Sequence, residues 1–297
     1  MINLKNEIIK EYGLNLELKP FGDNEARNNV FLGENVDRDF IVKLEDVKQR
    51  EQVKLSIYVA SNLLKSNLVS SSRYIETKNG KGFHVFEDKI VTVQKKEDLV
   101  KLKFETSEDL IVIGEVIGEF HLLLSNMNIK GLKKSNFYKD FMWGKVPLAQ
   151  SPKRLEEIEV FYKKYTPNYE LLTKGVVHND LNSNNIFFVD EKYFFIDFEF
   201  LKESPLISDL GVLGLEFWDY KKGSQDYIDK LSYLLEGYEK KIKLSQYDKA
   251  KIVIFSLRYL FSDENWYNYW SFNGNQAVRD LIPAIREQQN LLLKIIR

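Results

Sequence analysis

The stretch VHNDLNSNNIFFVDEKYFFIDFEF, residues 177–200, carries the pattern that decides the fold. It opens with a His-x-Asp motif that ends at Asp180, and Asn185 follows five residues later. Two short apolar runs come next, separated by turn residues at 190–192, and Asp197 directly follows the second run. Apolar runs separated by so short a polar turn predict a β-hairpin with polar residues at its open end.

The predicted hairpin brings two oxygen-bearing side chains together. A turn centred on Glu191 leaves Asn185 and Asp197 equally far along the chain from that centre, so an antiparallel pair places them opposite each other. Opposed residues have Cα atoms roughly 4.5–5.5 Å apart. An amide oxygen and a carboxylate at that separation suit Mg²⁺, which takes oxygen ligands and keeps substrate phosphates in its other positions. Glu199 is a candidate ligand of a second metal ion, or else a surface acid.

The His-x-Asp motif supplies the candidate catalytic residues. Asp180 lies at the other end of the loop that leads to the hairpin, which is the position of the base in kinase-type phosphoryl-transfer enzymes. We expect Asp180 to accept the proton of a substrate hydroxyl and His178 to orient the loop through hydrogen bonds. A lone His-x-Asp occurs by chance in many proteins, whereas the complete set in this register indicates nucleotide chemistry.

These motifs also carry a family resemblance. HNDL at 178–181, Asn185 and IDFE at 196–199 resemble the Brenner-type motif of the aminoglycoside phosphotransferase and choline kinase superfamily. DLG at 209–211, followed by EFW at 216–218, is similar to the choline/ethanolamine kinase branch. The resemblance is specific over about thirty-five residues and otherwise rests on the general character of the chain.

The resemblance implies a protein-kinase-like two-lobed fold of the α+β class. Its small lobe is an antiparallel β structure with one helix, and its larger lobe is mainly helical. We expect residues 1–95 to form the nucleotide-binding lobe and residues 96–297 to form the catalytic and acceptor-binding lobe. ATP and Mg²⁺ are the implied cofactors.

The front of the chain contains a lysine within an apolar strand. Lys43 lies in the run Phe40–Leu44, where a charge needs a partner. The resemblance implies that Lys43 contacts the nucleotide phosphates and pairs with a glutamate of the next helix. Glu51 is the only acid of the helix predicted over 48–65 and is therefore the candidate partner. The alternatives are a strand-edge lysine facing water, and an acid placed in the first turn by the helix dipole.

Two further segments of the front part are candidates for nucleotide contact. The loop 21–29 follows a predicted strand, and in the resembling families this loop covers the phosphates. It has only one glycine, so Asn24 and Asn28 are candidate donors to phosphate, with solvated loop residues as the alternative. The polar run 94–98 is the predicted hinge, near which the base is expected to bind.

The second half is predicted to be helical and to build the acceptor pocket. Helices are expected from Ser245 to about Phe261 and over about 275–296, and Asp209 is expected to brace the catalytic loop. Aromatic clusters at 217–220 and 266–272 have acids beside them. Such a wall suits a cationic acceptor through cation–π contacts, and the alternative is that these rings are core.

Composition excludes several classes of protein. Lys and Arg number 43 against 44 Asp and Glu, so the chain lacks the excess of positive charge that is typical of nucleic-acid-binding proteins. The chain has no cysteine, which excludes disulfides and thiol chemistry. No apolar run approaches the ~20 residues of a membrane helix, and a cytoplasmic protein without a membrane or nucleic-acid partner is the expectation.

The expected activity is ATP-dependent transfer of the γ-phosphate to a hydroxyl of a small molecule. Only eleven residues separate Asp197 from Asp209, too few for the segment with which protein kinases present a peptide. The identity of the acceptor stays open: it is an aminoglycoside, choline or another amino alcohol, or a sugar-like molecule. The alternative is a catalytically inactive kinase-like protein of nucleotide-binding or coat type.

Overall fold

The computed structural model describes residues 2–21, 29–104, 106–137 and 150–296. These form two compact units: the first comprises Met1–Leu102 and Asn184–Glu199, and the second comprises Lys103–Ser183 and Phe200–Arg297. The expected division after residue 95 therefore lies seven residues before the observed one. The segment Asn184–Glu199 groups with the first unit although it is distant from it in sequence.

The strands and helices follow one another in mixed order. The strands are β1 (Glu17–Pro20), β2 (Val30–Glu34), β3 (Phe40–Asp46), β4 (Val69–Ser71), β5 (His84–Phe86), β6 (Lys89–Lys95), β7 (Val100–Lys101), β8 (Lys133–Lys134), β9 (Lys174–Val177), β10 (Ile186–Val189), β11 (Lys192–Phe195) and β12 (Lys202–Pro205). The helices are α1 (Ile2–Tyr12), α2 (Arg50–Leu63), α3 (Ser107–Asn126), α4 (Pro152–Tyr165), α5 (Ile207–Glu216), α6 (Ser224–Tyr238), α7 (Gln246–Phe272) and α8 (Leu281–Ile296). None of the described helices is long and apolar enough to cross a bilayer.

The first unit contains two sheets. Its five-stranded sheet has the order β1-β2-β3-β6-β5 with antiparallel neighbours throughout. Val42, Val91 and Val93 alternate along β3 and β6 and pack, fully buried, into a core with Leu4 and Ile8 of α1. Because successive side chains of a strand point to opposite faces, the intervening residues of β3 and β6 face away from this core.

The hairpin of β10 and β11 forms, but its register differs by one residue from the predicted one. Ile186 lies opposite Phe195 and Val189 lies opposite Lys192, so the turn has two residues, Asp190 and Glu191. Both turn residues have positive φ, 47° and 63°, as a tight two-residue hairpin turn requires. The sequence predicts a three-residue turn instead, because Asp-Glu is an unusual pair for two left-handed positions.

The corrected register changes what faces Asn185. Ile196, and not Asp197, is opposite Asn185 and donates its backbone N–H to the Asn185 carbonyl at 3.1 Å. Asp197 therefore comes one residue beyond the partner of Asn185 and adopts φ of 61°. The two predicted metal ligands still flank one hairpin mouth, but the backbone turn at Asp197, and not cross-strand pairing, directs its carboxylate.

The second unit is built mainly from helices, with the three-stranded sheet β8-β12-β9 beside them. Its longest helix, α7, runs to Phe272, so the prediction that it ends near Phe261 is wrong. The extension is possible because the polar residue Glu264 is fully buried yet satisfied, accepting hydrogen bonds from Arg154 and Arg286. The last helix begins at Leu281, six residues later than predicted.

Helices α3 and α6 pack at backbone contact through glycines. A Cβ added to Gly237 would lie 1.8 Å from the carbonyl oxygen of Ile111, and one added to Gly114 would lie 2.1 Å from the carbonyl oxygen of Leu234. In both cases the clash is with backbone, which cannot rotate away. This contact therefore requires the absence of a side chain.

We expect Gly237→Ala to destabilise the protein by roughly 3 kcal/mol or more, because overpacking against a rigid neighbour exceeds the ordinary helix preference for alanine. The corresponding fall in Tm is about 6–12 °C, measured by differential scanning calorimetry. The control is Glu236→Ala on the exposed face of the same helix, which should stay within about 0.5 kcal/mol. Equal Tm values for the two variants would contradict the close packing.

Candidate active site

The loop that follows β9 is held by one buried carboxylate. Asp209, in the first turn of α5, accepts the backbone N–H of His178 through one oxygen and that of Asn179 through the other, each at 2.8 Å. Asn179 has φ of 67°, a conformation unusual for a residue other than glycine. The carboxylate stabilises this strained turn, so the expectation that Asp209 braces the loop before Asp180 is confirmed.

A buried histidine in turn positions Asp209. His121 of α3 lies 3.1 Å from the Asp209 carboxylate through Nε2 and 2.8 Å from the hydroxyl of Tyr238 through Nδ1. His121 is 1 % exposed and Tyr238 is fully buried, so this chain of contacts is shielded from water. His121 is therefore a core histidine.

Asp180 follows this braced turn directly. Its Oδ1 accepts a hydrogen bond from the side-chain amide of Asn182 at 3.0 Å and one from the hydroxyl of Tyr259 at 3.3 Å. Asp180 is half-buried, so it is held in place while part of it stays accessible. Further along the loop, the backbone N–H of Ser183 donates a hydrogen bond to the carboxylate of Glu216 at 3.0 Å.

One stripe of α7 faces this loop, and the sequence analysis missed it. Tyr259, Asp263 and Tyr267 are spaced four residues apart and therefore lie on one helix face. Burial, together with the carboxylates of Asp180 and Glu216, raises the pKa of Asp263 well above its ordinary value. Burial and the nearby Asp263 likewise raise the pKa values of both tyrosines. The four-residue spacing of these residues is visible in the sequence, but Asp263 and Tyr267 lie beyond the helix end predicted near Phe261.

The first unit brings Lys43 to Asp197. The Lys43 ammonium lies 2.5 Å from Oδ1 of Asp197, and both side chains are partly buried. Burial alone lowers the pKa of Lys43, but the charge of Asp197 outweighs it and raises that pKa above its ordinary value. Lys43 therefore stays charged, and the alternative of a strand-edge lysine facing only water does not describe it.

Glu45 is a further acid of this site that the sequence analysis did not identify. Burial raises the pKa of Glu45, Lys43 opposes the rise, and the negative charges of Glu199 and Asp197 add to it. Glu45 lies two residues after Lys43 on β3, on the same face of the strand. The two-residue spacing of Lys43 and Glu45 within a predicted strand is the sequence feature that could have identified Glu45.

Glu51 does not take the expected place beside Lys43. Its carboxylate accepts a hydrogen bond from Lys54 at 2.7 Å, and its side chain is 82 % exposed. Its neighbour Gln52 instead turns toward the site and donates its amide to the carbonyl of Phe198 at 3.3 Å. The helix dipole explains an acid in the first turn of α2 without any pairing to Lys43.

The predicted metal ligands have contrasting exposure. Asn185 is buried, the Asp197 side chain is 34 % exposed, and Glu199 is exposed. All three offer oxygen donors, the ligand type that a hard divalent cation takes. Asp197 already binds a cationic group, the Lys43 ammonium, so its carboxylate is ionised. The donor set therefore fits Mg²⁺. Asn24 and Asn28, the candidate donors to the nucleotide phosphates, lie outside the described residues.

A cavity of about 610 Å³ lies within the first unit beside Lys43 and Asp197. Apolar residues of β2, β3 and the hairpin line it, among them Val30, Ile41 and Ile196. The predicted hinge also lines it, because Gln94 and the next three residues border the cavity. This volume lies within the range of about 300–1,000 Å³ that is usual for small-molecule sites.

The two aromatic clusters of the second unit divide between core and surface. Phe217 and Trp218 are 8 % and 5 % exposed, and the Trp218 indole donates to the Gly223 carbonyl, so these rings are core. Trp266 is 37 % exposed and packs edge-on against Trp270, with ring centroids 5.6 Å apart.

Comparison with solved structures shows a kinase-like fold. An amicoumacin kinase in complex with AMP-PNP, Ca²⁺ and Ami has a TM-score of 0.77 at 15 % identity, covering 98 % of this chain and 94 % of that one. A microcompartment-associated aminopropanol kinase has a TM-score of 0.72 at 14 % identity, covering 99 % and 97 %. The choline kinase LicA from Streptococcus pneumoniae has a TM-score of 0.64 at 16 % identity, covering 97 % and 98 %.

Comparison of the sequence itself gives a family. No curated protein sequence matches the chain. The model of the phosphotransferase enzyme family, however, matches residues 17–241, which include the braced loop, the hairpin and Lys43. Since that match spans well over half of the 297 residues, the chain belongs to the phosphotransferase enzyme family and has a protein-kinase-like α+β fold.

Proposed function

We propose that this protein is a small-molecule kinase that transfers the γ-phosphate of ATP to a hydroxyl group of its acceptor. The observation that carries the proposal is the braced loop, in which Asp209 holds two successive amides and Asp180 follows with its carboxylate fixed by Asn182. A carboxylate held in this way accepts the hydroxyl proton as the oxygen attacks phosphorus. Positioning and charge stabilisation supply most of the rate in such reactions.

The nucleotide belongs to the first unit in this proposal. The cavity beside Lys43 takes the base, and the Lys43 ammonium neutralises phosphate charge once it leaves Asp197. Asn185 and Asp197 would hold Mg²⁺, which would neutralise charge on the phosphate oxygens, and Glu199 would bind a second ion. The amicoumacin kinase structure with AMP-PNP and Ca²⁺ supports a nucleotide with a divalent cation.

The acceptor carries a positive charge in this proposal. Asp180, Glu216 and Asp263 lie close enough for the first two to raise the pKa of the third. Among the residues that the structure describes, neither Glu216 nor Asp263 forms an ion pair with a lysine or arginine. A cation placed between these carboxylates lowers their mutual repulsion. The half-buried ring of Tyr267 on the same stripe adds a face for an ammonium group.

We expect phosphoryl transfer from ATP to amine-bearing alcohols, such as aminoglycosides, amino alcohols and choline, in preference to neutral sugars. Glu216→Gln and Asp263→Asn should each raise KM for the cationic acceptor roughly 10-fold, the value of a lost hydrogen bond to a charged group. The Kd for ATP should be unchanged, because the nucleotide contacts lie elsewhere. A coupled ADP-release assay measures KM, and calorimetry measures Kd.

Glu236→Gln is the matched control, since it removes one exposed acid of the second unit without touching the stripe. Its KM should equal that of the unaltered protein. Unchanged KM values in both stripe variants would exclude the cationic acceptor while leaving the kinase activity in place. Tight ATP binding without transfer to any alcohol would instead support an inactive nucleotide-binding protein.

A further inference from the structure

Strand β6 places two polar residues on the cavity side of its sheet. Val91 and Val93 face the apolar core with α1, so the alternate residues Thr92 and Gln94 face the other way. Gln94 lies directly opposite Ile41 of β3, and both residues line the cavity. The side chain of Gln94 is therefore on the face of the sheet that borders the cavity, which is the proposed site of the base.

The carboxamide of Gln94 is available to a ligand in the cavity. The residue is 6 % exposed, and its carboxamide forms no hydrogen bond with any residue in the described part of the chain. Because Gln94 lines the cavity, its two carboxamide atoms reach the open space of the cavity. A ligand in the cavity can hydrogen-bond to both.

Two other polar side chains of the cavity are already engaged. Ser71 donates its hydroxyl to the carbonyl of Phe195 at 2.7 Å, and Lys43 pairs with Asp197. Gln94 thus offers an uncommitted donor and an uncommitted acceptor, side by side in one planar group. Its position beside the hinge run places this pair at the edge of a base sandwiched between the apolar residues.

The pattern of the carboxamide matches one base. Adenine presents its N6 amine, a donor, next to N7, an acceptor, and glutamine bonds to this pair with both of its groups. Hypoxanthine and guanine present O6 next to N7, which are two acceptors. Against them the carboxamide oxygen of Gln94 faces another oxygen and stays unpaired.

We propose that Gln94 selects adenine over 6-oxopurines by hydrogen bonding to the N6 and N7 edge of the base. This inference rests on the proposed function, because it concerns the nucleotide of that reaction. It assigns the discrimination between adenine and 6-oxopurines to one side chain of β6.

The test compares the binding of ATP, ITP and 7-deaza-ATP to the intact protein and to Gln94→Leu, a substitution of similar volume without hydrogen-bonding groups. Calorimetry or displacement of a fluorescent nucleotide measures each Kd. The unaltered protein should prefer ATP to ITP by about 10- to 100-fold and should bind 7-deaza-ATP about 10-fold more weakly than ATP. In Gln94→Leu all three nucleotides should bind within about 3-fold of one another.

Thr92→Val is the matched control. The Thr92 hydroxyl is also buried on this strand without a partner, but Thr92 does not line the cavity. Its variant should keep the full preference for ATP over ITP.

If ATP binds but the preference is the same in Gln94→Leu, the assignment of Gln94 is wrong and the proposed function stands. Equal binding of ATP and 7-deaza-ATP by the unaltered protein also overturns it, without any variant. Absence of ATP binding overturns the proposed function itself.

Discussion

Asp180→Asn is expected to reduce kcat by about 100- to 10,000-fold, the contribution of a general base. The amide cannot accept the acceptor's proton, although its oxygen can still accept the hydrogen bonds from Asn182 and Tyr259. The loop should therefore keep its geometry, and the Kd for ATP should change by no more than about 3-fold, because Asp180 has no place in nucleotide binding. Single-turnover kinetics with radiolabelled ATP separates the chemical step from binding.

The control for this variant is Asp190→Asn, the same chemical change at an exposed turn residue of the hairpin. Its left-handed conformation tolerates asparagine as well as aspartate, so kcat should not change. The thermal stability of Asp180→Asn should match that of the unaltered protein. If Asp180→Asn keeps more than about a tenth of kcat at saturating substrates, the base assignment fails, since loss of a base costs at least about 100-fold.

Asp197→Asn is expected to lower kcat/KM by about 100-fold or more, because the carboxylate is the only charged member of the proposed Asn185 and Asp197 pair. The Mg²⁺ concentration that gives half-maximal rate should rise about 10-fold or more at fixed ATP. The ammonium of Lys43 also loses its partner at 2.5 Å, so ATP binding without metal should strengthen or stay unchanged, but not weaken. A Mg²⁺ titration of the rate at several ATP concentrations distinguishes these effects.

Glu191→Gln is the control for the second variant, since it removes an exposed acid from the same hairpin. Its Mg²⁺ dependence should equal that of the unaltered protein. Glu199→Gln belongs to the same series and tests the second metal site, with a weaker Mg²⁺ dependence expected at high concentrations only. An Asp197→Asn variant with unchanged Mg²⁺ dependence would remove Asp197 from the metal site.

In the hairpin of β10 and β11, the positions of the strands were predictable from the sequence, but the length of the turn was not. Two apolar runs on either side of a short polar turn located both strands to within one residue, because the position of a strand is largely a property of the local sequence. The turn length itself was wrong by one residue, since Asp190 and Glu191 lack the glycine that usually marks a two-residue turn. A one-residue error moves every cross-strand partner, and it replaced Asp197 by Ile196 opposite Asn185.

Pairings between distant segments were harder to predict than motifs. Glu51 was the only acid on its helix, yet the rotation of α2 about its axis turns Gln52 toward the Asp197 loop and Glu51 toward solvent. The angular position of one residue on a helix depends on which face packs, and that is a tertiary quantity. Asp209, in contrast, belongs to the DLG motif at 209–211 and braces the loop before Asp180 as predicted.

The sequence by itself determined the fold class, the reaction type, and the identity of Lys43, Asp180 and Asp197 as the residues to consider, because local spacing and a shared motif specify these. Only the tertiary structure decided which carboxylate pairs with Lys43, which acids of α7 and α5 gather near Asp180, and which polar residue of β6 lines the cavity. These depend on how elements distant in the chain pack, and packing energies are summed over many weak contacts that no short stretch of sequence contains.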